Sequence, residues 1–211
     1  MGDTRRRILD VARRMFNDEG LSRVGVREIA RALEMSPGNL AYHFATKDDL
    51  VEALVMELHE LNLATVFAEM PADFSLVSLY EAAVGAMRNM LGYRFVLLSY
   101  VDAVRVSPKL RTLERQLAEK RRARHDAMLD ALVHGGWIES RALARSEVLY
   151  EQGAMISSGW LANATMRAWS DEKAILHYAK LGCALLEPWC TPKGERVMKK
   201  LLAGDFDGGG R

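Results

Sequence analysis

The chain is poor in the residues that mark unusual folding solutions. Its two cysteines, Cys183 and Cys190, are too few for a disulfide framework and sit in an apolar stretch. They read as small packing side chains in a reducing compartment. With 5 prolines among 211 residues, 49% apolar and 27% charged, the composition is that of a folded globular chain and not a disordered one. No run reaches the roughly 18 consecutive apolar residues a membrane span requires. Arg5, Arg6 and Arg7 lead into an amphipathic pattern, not the unbroken apolar segment of a secretion signal. A cytoplasmic protein with no membrane partner is expected. A surplus of one charge is also lacking: 29 Lys and Arg face 28 Asp and Glu, and residues 1–50 hold nine basic and eight acidic groups. Affinity for nucleic acid must then come from where charges sit, not from their total.

Chemistry-bearing constellations are missing as well. The five histidines, His43, His59, His125, His134 and His177, have no metal-ligand spacing, and neither a phosphate-cradling glycine loop nor a nucleophile elbow occurs. No enzyme activity, metal or cofactor is expected.

What the chain has in abundance is helical periodicity. Apolar residues recur at three- and four-residue steps almost throughout, without strand-like alternation, which predicts an all-α fold. The first helix starts near Asp3 or Thr4, buries Ile8, Val11, Ala12, Met15 and Phe16, and stops at Gly20. A short second helix runs from about Val26 to Leu33 behind Gly25, with Glu28 three positions on. Ser36 caps a third helix whose first residue is Pro37, where a missing N–H costs nothing. Thr46 and Asp49 form a capping box for a long fourth helix carrying Leu50, Leu54, Leu58 and Leu61. A loop is expected over residues 70–75. Further helices are expected at about 76–91, 93–105, 108–134, 141–167, 171–187 and 193–203, separated by Pro108, Gly135-Gly136 and Pro188. Residues 204–211 read as a loose tail.

Two short helices joined by three residues match a helix-turn-helix, which lays its second helix in the major groove. With Leu40 and Phe44 facing inward, Pro37, Gly38, Asn39, Ala41, Tyr42 and His43 are left outward. A glycine in a helix costs roughly 1 kcal/mol relative to alanine, so Gly38 is explained if another backbone must approach closely. Lys47, at a helix start, opposes the macrodipole unless a phosphate lies nearby, while Asp48 and Asp49 would repel that phosphate.

The stretch Gly20-Leu21, Val26-Arg27-Glu28-Ile29-Ala30, then Met35-Ser36-Pro37-Gly38-Asn39-Leu40-Ala41-Tyr42-His43-Phe44-Ala45-Thr46-Lys47-Asp48-Asp49-Leu50, resembles the DNA-binding signature of the TetR/AcrR family. The resemblance implies an N-terminal three-helix DNA-binding bundle over residues 1–50 and a C-terminal helical ligand-binding and dimerisation domain over 51–203. It also implies that Gly38 and Tyr42 touch bases or sugars, that Ser36, Asn39, His43 and Lys47 hold phosphates, and that Thr46 caps the next helix beside the DNA backbone. Val24 and Gly25 stand where the family often has a Ser or Thr pair. Glu34 stands where it commonly has Gly, which leaves a different turn geometry or slight strain as the expectation. Pro37 and Ala41 replace a basic and an aromatic residue, shifting the base readout.

In the second domain, residues 147–167 and 174–186 are apolar on more than one face, as a four-helix seam with a symmetry mate would require. Gly153, Ile156, Trp160, Tyr178, Leu181 and Leu185 are the expected interface. The alternative is that both helices are internal to one subunit. Met87, Met90, Phe95, Tyr100, Met128, Met155 and Trp160 either line an adaptable cavity for a small apolar or amphipathic effector or simply fill the core. The segment from Glu119 to Asp126 reads as solvated, and Asp102 with Arg105 as an ordinary helical pair. The partners expected are a palindromic double-stranded DNA operator and a second copy of the chain, with repression relieved by the effector. Two other readings stay open: a helical small-molecule carrier or enzyme whose N-terminal motif is structural, and a regulator acting through a protein partner without a ligand.

Overall fold

The computed structural model describes residues 3–65, 71 and 73–204. Eleven α-helices occur among them: α1 (Asp3–Glu19), α2 (Val26–Ala32), α3 (Pro37–His43), α4 (Lys47–Thr65), α5 (Leu76–Leu91), α6 (Arg94–Leu98), α7 (Tyr100–Val106), α8 (Pro108–His134), α9 (Ser146–Met166), α10 (Asp171–Ala184) and α11 (Pro192–Ala203). No strand is present among the described residues, in keeping with the helical periodicity. No helix of the described residues is long and apolar enough to cross a membrane. The loop expected at 70–75 lies partly, and the tail beyond Gly204 wholly, outside the described residues.

Contacts divide the chain into two compact units, one of Met1–Leu61 with Asn89–Ala118 and one of Asn62–Arg88 with Glu119–Arg211. The first is built on the apolar stripe of α1. Ile8, Leu9, Ala12 and Phe16 pack with Ile29 and Ala30 of α2, Leu40 and Phe44 at α3, and Leu50, Val51, Leu54, Val55 and Leu58 of α4. Gly20 ends α1 in a left-handed conformation, φ +85°, which costs a glycine little. Phe95 and Tyr100 close this core, the Phe95 ring lying 5.5 Å from that of Phe16. The Asn17 side chain fastens the same corner: its amide donates to the Gly92 carbonyl at 2.9 Å, and its oxygen accepts the Phe95 N–H at 3.1 Å. The single helix expected over 93–105 is instead two, broken at Ser99 (φ −143°, ψ −5°), whose hydroxyl donates to the Phe95 carbonyl and competes with the helical ladder.

In the second unit, Phe74 and Leu76 pack with Leu129, Leu132, Ile138, Ala142, Leu149, Cys183, Leu186, Cys190, Met198 and Leu201. A short backbone pairing joins the segments on either side: Glu139 N–H donates to Trp189 at 2.8 Å and Thr191 N–H to Trp137 at 3.1 Å. Gly194 is obligatory there, because a Cβ would collide with the Trp137 carbonyl. The helix expected from 141 begins as a 3-10 turn, Ser140–Arg145, before α9. Both cysteines are buried, and burial raises the Cys183 thiol to about 12 and Cys190 to about 11, so they pack and do not react.

The segment expected to be solvated, Glu119 to Asp126, is half-buried along one side. Arg122 donates to both carboxylate oxygens of Asp126 at 3.2 Å, Ser146 Oγ donates to the same group, and the His125 ring meets Tyr150 edge-on at 5.6 Å. A short polar stretch on a long helix is not solvated when the next helix folds back on it. Burial lowers the His125 pKa below its ordinary 6.5, against the pull of Asp126 and with the help of Arg122. Unfolded chains therefore take up the proton more readily than folded ones, and the contribution of His125 to stability is complete above pH 6.5 and declines as the pH falls through the lowered folded value. The urea midpoint is expected to drop on going from pH 7 to about pH 5, and His125→Gln to flatten part of that drop. Identical pH profiles for the two proteins would show that the imidazole plays no such part.

Candidate nucleic-acid interface

Seven residues are too few to hold a helix in water, so α3 depends on its caps and anchors. Ser36 accepts the Asn39 N–H at 3.2 Å, Pro37 takes the first position, and Phe44 ends the helix in an extended conformation with its N–H on the Leu40 carbonyl at 2.9 Å. Leu40 (0% exposed) and Phe44 (3%) enter the core, and everything between is turned out. Ser36, Pro37, Gly38, Asn39 and Ala41 are exposed, His43 is half-buried, and Tyr42 is 85% exposed with its ring edge-on to His43 at 5.3 Å. A Cβ on Gly38 would meet nothing in the subunit, so no internal packing asks for a glycine there.

The next helix start is the capping box expected: Thr46 Oγ1 accepts the Asp49 N–H at 3.2 Å and Asp49 Oδ2 accepts the Thr46 N–H at 2.8 Å. Lys47 departs from the outward set. Its ammonium donates to the Leu21 carbonyl and sits 5.8 Å from the centre of the Phe16 ring, and burial lowers its pKa. Helix α3 carries no lysine or arginine, so its face is neutral apart from His43.

The turn before α3 keeps a left-handed geometry even without glycine. Glu34 has φ +54°, Met35 N–H donates to Ala30 at 3.0 Å and Glu34 N–H to Arg31 at 3.0 Å, the two bonds of a Schellman ending. Of the two expectations for this turn, strain holds and a different geometry does not. Val24 is 1% exposed and spent on the core, and Gly25 N–H donates to Glu28 at 3.1 Å, leaving only the reciprocal half of a capping box.

The basic residues near the N-terminus divide by role. Arg6 bonds Glu57 at 2.7 Å and pairs with Asp10 at 3.0 Å, tying α1 to α4, while Arg5 lies over the Phe44 ring at 4.7 Å. Arg27 and Arg31, one turn apart on α2, are exposed and were not singled out by motif reasoning. The signal for them was present, since both fall on the polar face of the helical pattern. A third feature had no signal: Lys109 bridges Asp49 and Glu52 from some 60 residues away.

The residues expected to line an effector cavity are not gathered in one place. Met90, Phe95 and Tyr100 belong to the first core, Met128 packs on the second, and Met155 is 74% exposed. Those in the cores fill space in the way aromatic and thioether side chains do. Met87 and Trp160 are buried in the second unit, and the Trp160 indole N–H has no hydrogen-bond partner among the described residues. Among the expected interface residues, Trp160 (0% exposed) and Tyr178 (7%) are a correction: α9 and α10 pack on each other and cover both rings, 6.5 Å apart, leaving no surface for a partner. Gly153, Ile156 and Leu185 remain half-exposed and Leu181 exposed.

An all-helical chain that displays a short, capped, neutral helix behind a tight turn is a helix-turn-helix protein of the DNA-binding class. A family profile described as bacterial regulatory proteins, tetR family, matches residues 8–54, and a second, described as bacterial transcriptional repressor, matches residues 59–198. The chain belongs to the TetR family, a family of DNA-binding transcriptional regulators and not of enzymes. It is 29% identical over 91 residues to the HTH-type transcriptional regulator UidR of Escherichia coli, a match covering 43% of this chain and 46% of that relative, so it spans under half of that protein's length. A TetR-family regulator from Marinobacter aquaeolei superposes with a TM-score of 0.82 at 22% identity, over 95% of this chain and 98% of the other. A transcriptional regulator from Saccharomonospora viridis, solved in complex with choline, has a TM-score of 0.65 at 20% identity, over 84% and 94%.

Because a left-handed conformation costs an ordinary residue about 1–2 kcal/mol and glycine returns about 0.5–1 kcal/mol of that as unfolded-chain entropy, Glu34→Gly is expected to stabilise the protein by about 0.5–1 kcal/mol. Urea unfolding measures this. A destabilised variant would mean that the Glu34 side chain holds the turn.

Proposed function

We propose that the protein is a repressor that grips a palindromic operator as a homodimer and leaves it when a small molecule occupies its C-terminal domain. In this reading residues 1–50 read DNA and residues 51–203 bind the effector and dimerise. The observation that carries it is the outward face of α3: Gly38 and Tyr42 have no role inside the subunit, and one is the least bulky residue available while the other is almost fully exposed. Tyr42 and the Gly38 backbone meet bases or sugars, and Ser36, Asn39, Thr46 and His43 meet phosphates, with Pro37 and Ala41 giving the helix a close-fitting surface. The Ser36 and Thr46 oxygens are occupied as caps, but each hydroxyl keeps its hydrogen for a phosphate. Lys47 keeps two of its three N–H groups for the same purpose while the third holds the Leu21 carbonyl. Arg27 and Arg31 of α2 add the positive charge that α3 lacks.

Two copies are needed because a duplex presents equivalent half-sites about 34–36 Å, or a multiple, apart. The face that supports pairing is apolar and exposed. Val148, Met155 and Met166 recur along α9 at seven and eleven residues, two and three helical turns, and Leu176 and Leu181 project from α10. Gly153, Ile156 and Leu185 lie along the same two helices. An effector acts by binding one arrangement of the dimer better than the other. The buried indole N–H of Trp160, without a partner among the described residues, supports an amphipathic effector that offers a hydrogen-bond acceptor, as an unmet buried donor costs about 1–3 kcal/mol. The choline complex of the Saccharomonospora viridis regulator is in line with a small organic ligand in this fold.

A gel shift with DNA from upstream of the gene itself tests the reading, and a specific, salt-sensitive complex is expected. Tyr42→Ala should weaken it by about 1–3 kcal/mol. Gly38→Ala should weaken it too, while leaving the fold unharmed or stabler by up to about 1 kcal/mol, since the added methyl meets open space. Normal binding by both variants would remove α3 from the contact. Replacing Met155 and Leu181 together by Asp is expected to convert the dimer to monomer in sedimentation velocity, and an unchanged dimer would locate the seam elsewhere.

A further inference from the structure

A DNA-reading surface needs its neighbourhood free of negative charge, and the start of α4 is acidic. Asp48, Asp49 and Glu52 lie within nine residues of His43, α3 offers no cation, and the ammonium of Lys47 gives part of its donor capacity to the Leu21 carbonyl. The field of three carboxylates so near the reading helix in sequence is screened by cellular salt only beyond about 8–10 Å. Unopposed, they would repel the phosphates that Thr46 and His43 are to meet.

The same unit supplies a counter-charge from the first turn of α8. Lys109 Nζ lies 2.7 Å from Glu52 Oε2 and bonds Asp49 as well, with less than half of each side chain exposed. The pairing raises the Lys109 pKa and lowers that of Asp49, so both of these groups are ionised at neutral pH. Ser107, 5% exposed, donates to Asp48 Oδ2 at 2.5 Å and accepts the Leu110 N–H at 3.2 Å, which fixes the third carboxylate against the protein. Surface ion pairs of this kind add little to folding stability, so their value must be sought in the field they shape.

We infer that Lys109 is a positioning residue for operator binding: without touching DNA, it cancels Asp49 and Glu52 beside the reading helix, with Ser107 holding Asp48 aside. The inference rests on the repressor reading above. Removing Lys109 exposes two carboxylates to the phosphates, whereas removing the carboxylates makes Lys109 dispensable.

Operator affinity of the full-length protein, measured by fluorescence anisotropy at 100 and 200 mM salt with thermal melting of each variant alongside, tests this. Lys109→Gln is expected to weaken binding about five- to tenfold, more at the lower salt. Lys109→Arg should bind within about twofold of the parent, because it keeps the charge. Lys109→Gln combined with Asp49→Asn and Glu52→Gln should recover to within about twofold, and Asp49→Asn with Glu52→Gln alone should bind more tightly than the parent. That last variant keeps the Thr46 cap through its amide oxygen, so it tests the idea even if Lys109→Gln melts early. Equal losses from Lys109→Gln with and without the carboxylates would mean that Lys109 meets DNA itself and would overturn the inference, as would an unaffected Lys109→Gln or a double carboxylate variant no tighter than the parent. Absence of any operator complex with the parent protein would instead overturn the repressor reading.

Discussion

Helix α3 exists because two of its side chains, Leu40 and Phe44, have somewhere apolar to go. A helix of two turns cannot recover the cost of its own nucleation, and burying a leucine and a phenylalanine contributes about 1.5–3 kcal/mol each. That anchoring fixes the axis and rotation of the helix at once, since the outward set follows from the inward pair by helical geometry. The caps at Ser36 and Phe44, the left-handed Glu34 and the capping box at Thr46 then set where the helix starts and stops. The outward surface is thus a by-product of core packing, which places no demand on Gly38 or Tyr42.

Charge is managed by placement in this chain, not by surplus. The chain is near-neutral overall, α3 lacks permanent charge, Arg27 and Arg31 are left exposed on α2, and Arg6 is spent on Asp10 and Glu57. The Asp49 carboxylate completes the capping box of α4 by accepting the Thr46 N–H, yet in the proposed reading it sits where a phosphate should come. In the proposed reading Lys109, at the start of α8, and Ser107, just before it, resolve that conflict, so a helix cap and an anion-binding surface can share a few residues.

The second unit follows a different logic. Trp160 and Tyr178 are its largest aromatic groups on α9 and α10, and both are covered within the subunit. The apolar residues left outside are instead thioether and aliphatic ones, Met155, Met166, Val148 and Leu181. Large rings repay burial most and are taken by the subunit's own core. Flexible methionines are the side chains that best adapt to a second surface.

The helices themselves were legible in the residues alone: α5 and α8 fall where the periodicity places them, and Ser36, Pro37, Thr46 and Gly20 mark ends by local chemistry that needs no distant partner. The outward face of α3 was legible for the same reason, because 3.6 residues per turn convert a pattern into a surface. What took a folded chain to decide was every choice between equivalent apolar or charged side chains. Nothing local distinguishes Trp160 from Met155 as core or surface, Lys47 from Lys109 as the cation beside the reading helix, or a solvated His125 from one sheltered under Tyr150. Those outcomes depend on which segment folds against which, and a pairing such as Lys109 with Asp49 leaves no periodic trace in either stretch it joins.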